Sequence, residues 1–500
     1  MIRRMDHGRT RFAAAVTFAF VAAGGLGMLC HEMWRDELQA WLLAAQSGSL
    51  PELFHNLRYE GHPALWHLLL FAVSRITGRI TGALWAMQVL HLAIAASAVF
   101  LFARNAPFSR HARALFAFGY FPLFEYGVLS RSYSLGLLLV LAFASLYPVR
   151  LSGRYLPLGI VLALLANANA YGWLLAAVLT GGLAVEVLTR AEVRRDLRVR
   201  EALLAAGIWG AGAALGVLQM LPPADGGFAG RGTLAWEPEK LLLTLSSVAY
   251  AYFPLPNVGG DAVWNSLLLW RLPPALSALL GAAAVTGLAV RLSRSRVAFV
   301  AYLTGTLALL VFTYVFYFGW LRHHGHHFIL AIGCLWLARR DEGGEPNRGE
   351  PRRDLLPVLW LTVHLIAGLT LWGLDLALPF SNARAVARLL ADVPLPVAAG
   401  PDYLGTPVSA YLGRPLYHLE TQRPGTFVLW NQERARPLTA EDICGQLGRL
   451  AAADPRGALF VVAYPPPPCH LRMKVVASFQ QSLAVDERYL VIHVLPPAGP

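Results

Sequence analysis

The chain contains 500 residues, of which 56% are hydrophobic and 14% are charged. Soluble domains are about a quarter charged, so this composition excludes a cytosolic enzyme, a disordered protein and a small secreted protein built on disulfides. A mean hydropathy of +0.48 is typical of a protein that lives in a membrane. The formal net charge of +12 would indicate a nucleic acid partner in a soluble protein, so the positions of the arginines decide its meaning.

Repeated apolar stretches, separated by short arginine-rich segments, are long enough to cross a bilayer. A span needs roughly 20 predominantly apolar residues. By this criterion the sequence predicts a polytopic, mainly α-helical protein with about eleven spans. The predicted spans lie near 11–30, 81–104, 112–129, 132–149, 155–169, 171–189, 201–221, 265–290, 297–319, 326–338 and 355–376.

The arginines predict how these spans are oriented. Several arginines within residues 3–11 precede the first apolar run, and no cleavage pattern follows before His31, which favours an uncleaved signal anchor with a cytoplasmic N-terminus. The segments that this orientation places inside carry 22 arginines, whereas the outer segments before the last span carry 8 lysines or arginines. The positive-inside rule is met, so the basic excess reflects topology and nucleic acid is set aside as a partner.

One apolar run, residues 62–75, does not fit this count. It is too short to span, and counting it as a span would place the later arginine-rich turns outside. We therefore predict a helix lying flat at the outer interface, with Trp66 and His67 at headgroup depth. The first outer loop, 31–80, then contains two helices, this one and another from about Asp36 to Gln46.

The composition changes after the last span. From Phe380 onward the apolar runs PLPVAA, TFVLW, ALFVVA and YLVIHVL alternate with helical stretches at 382–392 and 439–453. This pattern predicts a small α/β domain, 380–500, outside the membrane domain of 1–379. Cys444 and Cys469 both lie in it, and the sequence leaves open whether they form the disulfide that an oxidising compartment would permit.

Ionisable residues that loops do not explain gather in four clusters, all at the predicted outer ends of spans. Such residues are costly near hydrocarbon and indicate functional sites. The clusters are Asp36-Glu37 after the first span, Arg58-Tyr59-Glu60-Gly61-His62-Pro63 in the first outer loop, Glu125 with Arg131 and Tyr133 between spans three and four, and Arg322-His323 followed by His324, His326 and His327 between spans nine and ten.

Each cluster also has a structural interpretation that the sequence leaves open. Asp36 and Glu37 suit a helix N-terminus, where carboxylates complement the helix dipole. Glu125 and Arg131 suit a buried ion pair between two helices. The histidines suggest a metal site, but neighbouring side chains on a helix diverge, so an anion site built on Arg322 is the preferred interpretation.

These motifs resemble the GT-C membrane glycosyltransferases, which include protein O-mannosyltransferases, bacterial aminoarabinose transferases and oligosaccharyltransferases. The likeness is greatest to the glycosyltransferase family 39 branch. It rests on Asp36-Glu37, on the run 58–63 before an interfacial helix, and on the polar motif between spans three and four. It covers the first 150 residues well, extends loosely to Arg322-His323 and the terminal domain, and matches the middle spans only in hydropathy. The resemblance implies a GT-C-like fold, a bacterial inner membrane location and a polyprenyl phosphate sugar donor.

Carried over by position, the resemblance implies that Asp36 is the catalytic carboxylate. We predict that Asp36 acts as a general base, with Glu37 beside it, and that cationic side chains neutralise the departing phosphate. The residues assigned to substrate or phosphate binding are Arg58, Glu60, His62, Glu125, Arg131, Tyr133, Arg322 and His323. Relatives often have an acid in the second outer loop that helps to hold a divalent metal. This chain has Arg131 there, so no metal ligand is assigned and a divalent metal stays an open alternative.

The predicted function is an integral-membrane glycosyltransferase that moves a sugar from polyprenyl phosphate to an extracytoplasmic lipid, glycan or protein. The alternative is a polytopic transporter or flippase of a lipid-linked or small polar substrate. Such a protein should show inverted repeats and polar residues near the bilayer midplane, and neither is evident. A relative that binds a lipid phosphate without turnover is a further alternative. The glycosyltransferase interpretation predicts one outward-facing cavity at which four residues converge: Asp36, Glu60, Glu125 and Arg322.

Overall fold

The computed structural model describes residues 2–78, 83–227, 232, 235–343, 351–435 and 437–496. Parts of several predicted segments lie outside these described residues, namely 79–80 of the first outer loop, 81–82 of the second span, 228–231 and 233–234 of an outer segment, 344–350 of an inner segment, and 436 and 497–500 of the C-terminal domain. The protein is mainly helical. The helices are α1 Ile2–Cys30, α2 Arg35–Gln46, α3 Leu50–Leu57, α4 Leu65–Ile76, α5 Leu84–Asn105, α6 Arg110–Ala117, α7 Tyr133–Leu146, α8 Leu156–Ala166, α9 Ala170–Thr189, α10 Ala191–Arg195, α11 Val199–Met220, α12 Pro238–Tyr252, α13 Pro274–Leu292, α14 Arg296–Val315, α15 Leu321–Asp341, α16 Pro351–Ala377, α17 Ala383–Leu390, α18 Asp402–Leu412, α19 Gln432–Ala435 and α20 Ala440–Ala452.

Within the described ranges, eight helices are long and apolar enough to cross a membrane. This confirms the prediction of a multi-pass membrane protein. The eight are His7–Cys30, Leu84–Asn105, Tyr133–Ser152, Ala170–Thr189, Val199–Met220, Pro274–Leu292, Arg296–Val315 and Leu355–Ala377. The helix predicted at 265–290 begins later than expected, because the chain before it forms a short 3-10 turn, Leu268–Arg271, that ends at two prolines.

Three predicted spans are not among these eight. The stretch 112–129 is broken: α6 ends at Ala117 and a π-helical turn, Tyr120–Glu125, follows it. Gly119 starts this break because α16 packs against it, where a Cβ on Gly368 would come within 2.7 Å of the Gly119 carbonyl carbon. Pro122 lies inside the turn and cannot donate a backbone hydrogen bond.

The other two differ for reasons of length and burial. The stretch 155–169 forms only the short helix α8, which ends where the Asn167 side chain donates to the Ala163 carbonyl at 2.8 Å. The stretch 326–338 belongs to α15, which begins five residues earlier and is buried from Leu321 to Arg339. A helix enclosed by protein on all sides does not require the apolar sequence of a lipid-facing helix, so this one carries histidines.

The first outer loop contains three helices, α2, α3 and α4. The structure confirms the two predicted ones as α2 and α4, and adds α3, which is capped by Ser49 accepting the Glu52 N–H at 3.3 Å. Trp66 and His67, which are predicted at headgroup depth, are both buried within the protein, because α4 packs against α2 and α5.

A buried ion-pair network ties the helices together at the end opposite this loop. Arg150 binds Glu186 through its Nε at 2.6 Å and Asp341 through its Nη2 at 2.8 Å. Arg190 binds the same Glu186 at 2.8 Å. These contacts join the ends of α7, α9 and α15, which is the side that the arginine distribution predicts to be cytoplasmic.

The C-terminal domain is built on a six-stranded sheet in the described residues, with the order β3-β2-β1-β4-β6-β5. β1 runs parallel to β2 and to β4, and the other pairs are antiparallel. The strands are β1 Val397–Ala399, β2 Leu416–His418, β3 Arg423–Gly425, β4 Ala458–Val462, β5 Met473–Phe479 and β6 Tyr489–Val494. The helices predicted at 382–392 and 439–453 correspond to α17 and α20.

Three of the four predicted apolar runs are strands, namely β1, β4 and β6. The run TFVLW, residues 426–430, is not a strand, since its backbone pairs with the first outer loop: the Val428 N–H donates to Gln39 Oε1 at 3.0 Å and its carbonyl accepts from Gln39 Nε2 at 2.6 Å. Cys444 and Cys469 are joined by a disulfide, with their Cα atoms 5.7 Å apart.

A second buried network lies just outside the first span. His31 Nε2 is 2.9 Å from Glu37 Oε2, and its Nδ1 is 3.0 Å from Asp375 Oδ2 on α16, with none of the three side chains exposed. Burial alone would lower the pKa of His31, but Asp375 and Glu37 outweigh it and raise the pKa to about 10. His31 is therefore charged at neutral pH and joins α1, α2 and α16.

We expect Asp375→Asn to destabilise the protein by about 3–5 kcal/mol at neutral pH, because it leaves a buried cation with one carboxylate instead of two. The stability that the charged His31 ring gains from its carboxylate partners is complete below pH 6.5, the ordinary pKa of histidine. It is lost as the pH rises through about 10, where His31 loses its proton. Thermal unfolding of the detergent-purified protein measures the change, with the exposed Asp392→Asn as the control. Equal unfolding temperatures for the two variants would show that the network carries no stability.

Candidate functional site

A cavity of about 620 Å³ lies where several helices end at the first outer loop. Its walls come from the first turns of α2, α9 and α15 and the last turns of α11 and α14. The positive-inside rule predicts that all of these ends lie on the outer side of the membrane. The cavity thus lies at the ends of the apolar helices, beside the loop that joins α1 to α5.

Asp36 lies on the cavity wall because of its position at the start of α2. The helix begins after Trp34, and its first turn directs Asp36 towards three arginines. Its Oδ2 is 3.4 Å from Arg322 Nη2 and 3.9 Å from Arg131 Nη2, and its Oδ1 is 3.7 Å from Arg35 Nε. Arg131 also donates to the Asp36 backbone carbonyl. Asp36 and Arg322, 286 residues apart, are therefore direct neighbours.

These arginines control the ionisation of Asp36. Burial alone would raise the pKa of the carboxyl group, but Arg131, Arg322 and Arg35 outweigh this effect and hold the pKa below its usual range. Asp36 is thus ionised at neutral pH, with 28% of its side chain exposed to the cavity. A carboxylate held this way is a weak base for as long as the arginines stay paired with it.

Arg322 has hydrogen-bonding capacity that the protein does not use. Its guanidinium packs against two indole rings that touch each other edge to face, 4.8 Å from the centroid of Trp34 and 5.5 Å from that of Trp264. The side chain is 6% exposed, and among the described residues its Nε and Nη1 have no hydrogen-bond partner. Buried N–H groups without a partner are costly, which favours an anion that would engage Arg322.

The second cluster, residues 58–63, contributes Arg58, Glu60, Gly61 and His62 to the cavity wall. Gly61 takes a left-handed backbone conformation, with φ +66°, which turns the chain sharply between Glu60 and His62. Gln39 Nε2 donates to Glu60 Oε1 at 2.8 Å, and burial nevertheless raises the pKa of Glu60 to about 7. Burial and Arg131 lower the pKa of His62 to about 4, so its ring is neutral at pH 7.

Cations outnumber acids on the cavity wall. Four arginines line it, together with two carboxylates, and Glu60 is only partly ionised at neutral pH. The arginines are Arg35, Arg58, Arg131 and Arg322. This balance favours an anionic ligand.

Three predicted site residues do not line the cavity. Glu37 is buried, and its carboxylate accepts the Trp34 N–H at 3.1 Å and the Ser130 N–H at 2.6 Å, so its role is to cap α2 and hold the neighbouring turn. This corrects the prediction that Glu37 acts beside Asp36. Asp36 and Glu37 face different surroundings because successive side chains on a helix point in different directions.

Glu125 and Tyr133 lie behind the wall. Glu125 Oε2 accepts from Tyr120 Oη at 2.7 Å and from Trp264 Nε1 at 3.1 Å, so it positions the indole that packs on Arg322. The predicted convergence is therefore correct for Asp36, Glu60 and Arg322 and wrong for Glu125. Glu125 makes these contacts instead of the ion pair with Arg131 that the sequence also suggests. Tyr133 supports His323 from behind, with its Oη 2.9 Å from Nε2.

His323 lines the cavity, but both of its ring nitrogens are engaged. Nδ1 accepts the Trp320 N–H at 2.8 Å, so Nε2 carries the proton that faces Tyr133 Oη. His323 therefore lines the cavity, but neither of its ring nitrogens is free to bind the phosphate group that the sequence analysis assigns to it. The following histidines diverge: His324 faces Tyr250 and His326 stacks on Tyr171. Within the described residues, no three His, Cys, Asp or Glu side chains gather as a metal site would require.

Sequence reasoning missed several residues of this site. Arg35 stands inside the first motif, yet only the structure shows that it faces Asp36. Asp375 belongs to the His31 network and not to the cavity wall. It can be detected from the sequence, since it is an acid within a predicted span, where ionisable residues are rare. Aromatic and small polar wall residues gave no signal, because they look like ordinary core or loop residues. They are Gln39, Tyr171, Tyr317, Tyr403, Thr406 and Trp430.

The C-terminal domain covers the cavity. Tyr403, Thr406 and Trp430 belong to its wall, and the Thr406 hydroxyl is buried without a partner among the described residues. The domain is fixed to α2, where the Arg35 N–H donates to Glu487 Oε1 at 2.8 Å and the Arg35 side chain forms an ion pair with Asp486. The arrangement is an arginine-lined cavity between helices and the C-terminal domain. No family model, curated protein or solved structure matches this chain.

Proposed function

We propose that the protein is an integral-membrane glycosyltransferase that moves a sugar from a polyprenyl phosphate donor to an acceptor on the outer, periplasmic side of a bacterial inner membrane. One observation carries this proposal: Arg322, almost wholly buried on the wall of a cavity lined by more arginines than acids, has its Nη2 3.4 Å from the Asp36 carboxylate and two further N–H groups without a partner among the described residues. Cation and carboxylate are thus placed together for phosphate departure and proton removal.

The apolar part of the cavity wall supports a lipid-linked donor. The ends of α11 and α14 contribute Val217, Leu221 and Phe316, which are also exposed on the protein surface. Large apolar side chains exposed at the end of a membrane helix are suited to acyl or prenyl chains. When Arg322 holds the phosphate, the lipid chain of the donor can therefore extend along this edge into the bilayer.

The proposed reaction needs one base and a cationic site. A hydroxyl or amine of the acceptor attacks the anomeric carbon, the bond from that carbon to the phosphate oxygen breaks, and the configuration inverts. Asp36 takes the acceptor proton. The polyprenyl phosphate leaves as an anion, and Arg131 and Arg322 neutralise the charge that develops on its oxygens. Arg58, which also lines the cavity, adds to this positive field.

Donor binding itself would activate the base. In the unliganded cavity Arg131 and Arg322 are paired with Asp36 and depress its pKa. A phosphate that engages the same guanidinium groups competes with Asp36 for them and adds negative charge nearby. The pKa of Asp36 then rises towards its usual range, so the carboxylate becomes a stronger base only when the donor is present.

The raised pKa of Glu60 predicts how donor binding depends on pH. As the pH rises above about 7, Glu60 ionises and adds a negative charge beside Arg131. We expect the affinity for a polyprenyl phosphate to fall several-fold across this range in the wild type and to stay flatter in Glu60→Gln. A fluorescent polyprenyl phosphate in detergent measures both. The ligand's own ionisation is common to the two proteins, so identical profiles would contradict the assignment of Glu60.

Native mass spectrometry of the detergent-purified protein tests the donor class without knowledge of the acceptor. We expect an added polyprenyl phosphate to bind specifically and the uncharged polyprenol of equal length to bind much more weakly. Equal binding of both lipids, or binding of neither by folded protein, would overturn the proposal. A transporter or flippase would then be the better interpretation.

A further inference from the structure

The C-terminal domain contains a second cavity, of about 510 Å³, that the reaction described above does not use. This volume is within the range of roughly 300–1,000 Å³ typical of small-molecule sites. Six of its lining residues carry the argument: Gly400, Leu419, Glu420, Trp430, Phe460 and Tyr464.

The position of this cavity in the sheet is one at which α/β proteins bind ligands. β1 lies between β2 and β4 and is parallel to both: the chain passes from β1 through α18 to β2 on one side, and later returns through α20 to β4 on the other side of β1. Ligands bind in the crevice at the carboxyl ends of strands at such a switch point. Gly400, Leu419 and Tyr464 each follow the carboxyl end of one of these strands and line the cavity.

Close packing at Gly400 forms the floor of the crevice. A Cβ at this position would come within 2.9 Å of the Leu419 side chain and 3.1 Å of the Phe460 ring. The backbone can therefore approach these side chains only because residue 400 is glycine.

The polar groups are few and firmly positioned. Both Glu420 carboxylate oxygens lie within hydrogen-bond distance of the Asp402 N–H, at 3.2 and 3.1 Å. The buried Asp402 carboxylate in turn binds Arg434 through Nε at 2.9 Å and Nη2 at 2.7 Å. Asp402 neutralises Arg434, and Glu420 adds a further carboxyl group to the wall. The cavity therefore lacks the excess of cations that a phosphate ligand requires.

Aromatic rings complete the site. The Arg434 guanidinium lies 4.1 Å from the centroid of the Trp430 ring and fixes that indole in place. Phe460 and Tyr464 add two further rings. An aromatic face beside a hydrogen-bonding carboxyl group suits a ligand that has both an apolar C–H face and hydroxyl groups, which is the chemistry of a sugar ring.

Trp430 connects this crevice with the arginine-lined cavity, because the same residue lines both. We propose that the crevice holds a saccharide portion of the acceptor, so that the hydroxyl to be glycosylated passes Trp430 towards Asp36. The acceptor role rests on the proposed transferase function, whereas saccharide binding does not depend on it. The acceptor is thus assigned to the sugar-containing class of molecules.

The test uses the whole detergent-purified protein and a panel of soluble saccharides, namely neutral hexoses, N-acetylhexosamines, uronic acids and their disaccharides. Isothermal titration and intrinsic tryptophan fluorescence follow binding. We expect at least one saccharide to bind saturably and to bind at least tenfold more weakly to Glu420→Gln and to Tyr464→Ala. Gln keeps an acceptor for the Asp402 N–H and Tyr464 is 52% exposed, so both variants should fold. Glu433→Gln, an exposed acid of the same domain, is the matched control.

These experiments distinguish failure of the saccharide site from failure of the proposed transferase function. Saccharide binding that depends on Glu420 and Tyr464 in a protein that binds no polyprenyl phosphate would preserve this site and refute the transferase. Absence of binding across the panel would overturn the inference while leaving the donor site intact. Binding that survives both variants but is lost in Arg322→Ala would place the saccharide in the arginine-lined cavity, and would overturn it as well.

Discussion

Asp36→Asn is expected to lower the rate of sugar transfer by about 10²–10⁴-fold, the range typical of losing a general base. The amide keeps the shape of the side chain but cannot take the acceptor proton. Donor binding should be retained or strengthened, because the change removes a negative charge that lies 3.4 Å from Arg322. A loss of turnover with intact binding is the pattern expected for a base.

The assay follows labelled sugar from a polyprenyl phosphate donor into the acceptors of isolated membranes. Asp225→Asn is the control, since Asp225 is exposed, lies on the same outer face and accepts from Tyr59 Oη at 2.9 Å without lining the cavity. Full activity of Asp36→Asn would show that this carboxylate only holds the arginines in place.

Arg322→Ala is expected to weaken polyprenyl phosphate binding by roughly 2 kcal/mol or more, about 30-fold, as is found when a buried charged partner is removed. Arg322→Lys should restore only part of the affinity, because a compact ammonium group does not offer the planar array of N–H donors of a guanidinium. Native mass spectrometry with added polyprenyl phosphate measures all three proteins.

Arg271→Ala is the matched control for Arg322→Ala. Arg271 lies in the segment before α13, is exposed and binds Asn257 at 2.7 Å, away from the cavity. Thermal unfolding identifies any variant that fails to fold, which matters because Arg322 packs against Trp34 and Trp264. Folded Arg322→Ala that binds the lipid as tightly as the wild type would rule out Arg322 as the phosphate ligand.

The fold and the site differ in how much the sequence determines. Spans are set by local composition, so eight of the predicted apolar stretches are long helices in the structure. The predictions failed where tertiary contacts replace the bilayer. α15 is enclosed by protein and tolerates histidines, and the stretch 112–129 breaks where α16 packs against Gly119.

Among the candidate site residues, the sequence by itself determined the clusters and their common side, because charge is confined to span ends by the cost of burying it in hydrocarbon. It could not separate Asp36 from Glu37, which are adjacent in the chain. Only the tertiary structure decided that Asp36 faces Arg322 while Glu37 binds His31. It also brought Trp430, from the far end of the chain, onto the wall of the cavity. Contacts of this kind depend on packing between distant elements, and no local pattern encodes them.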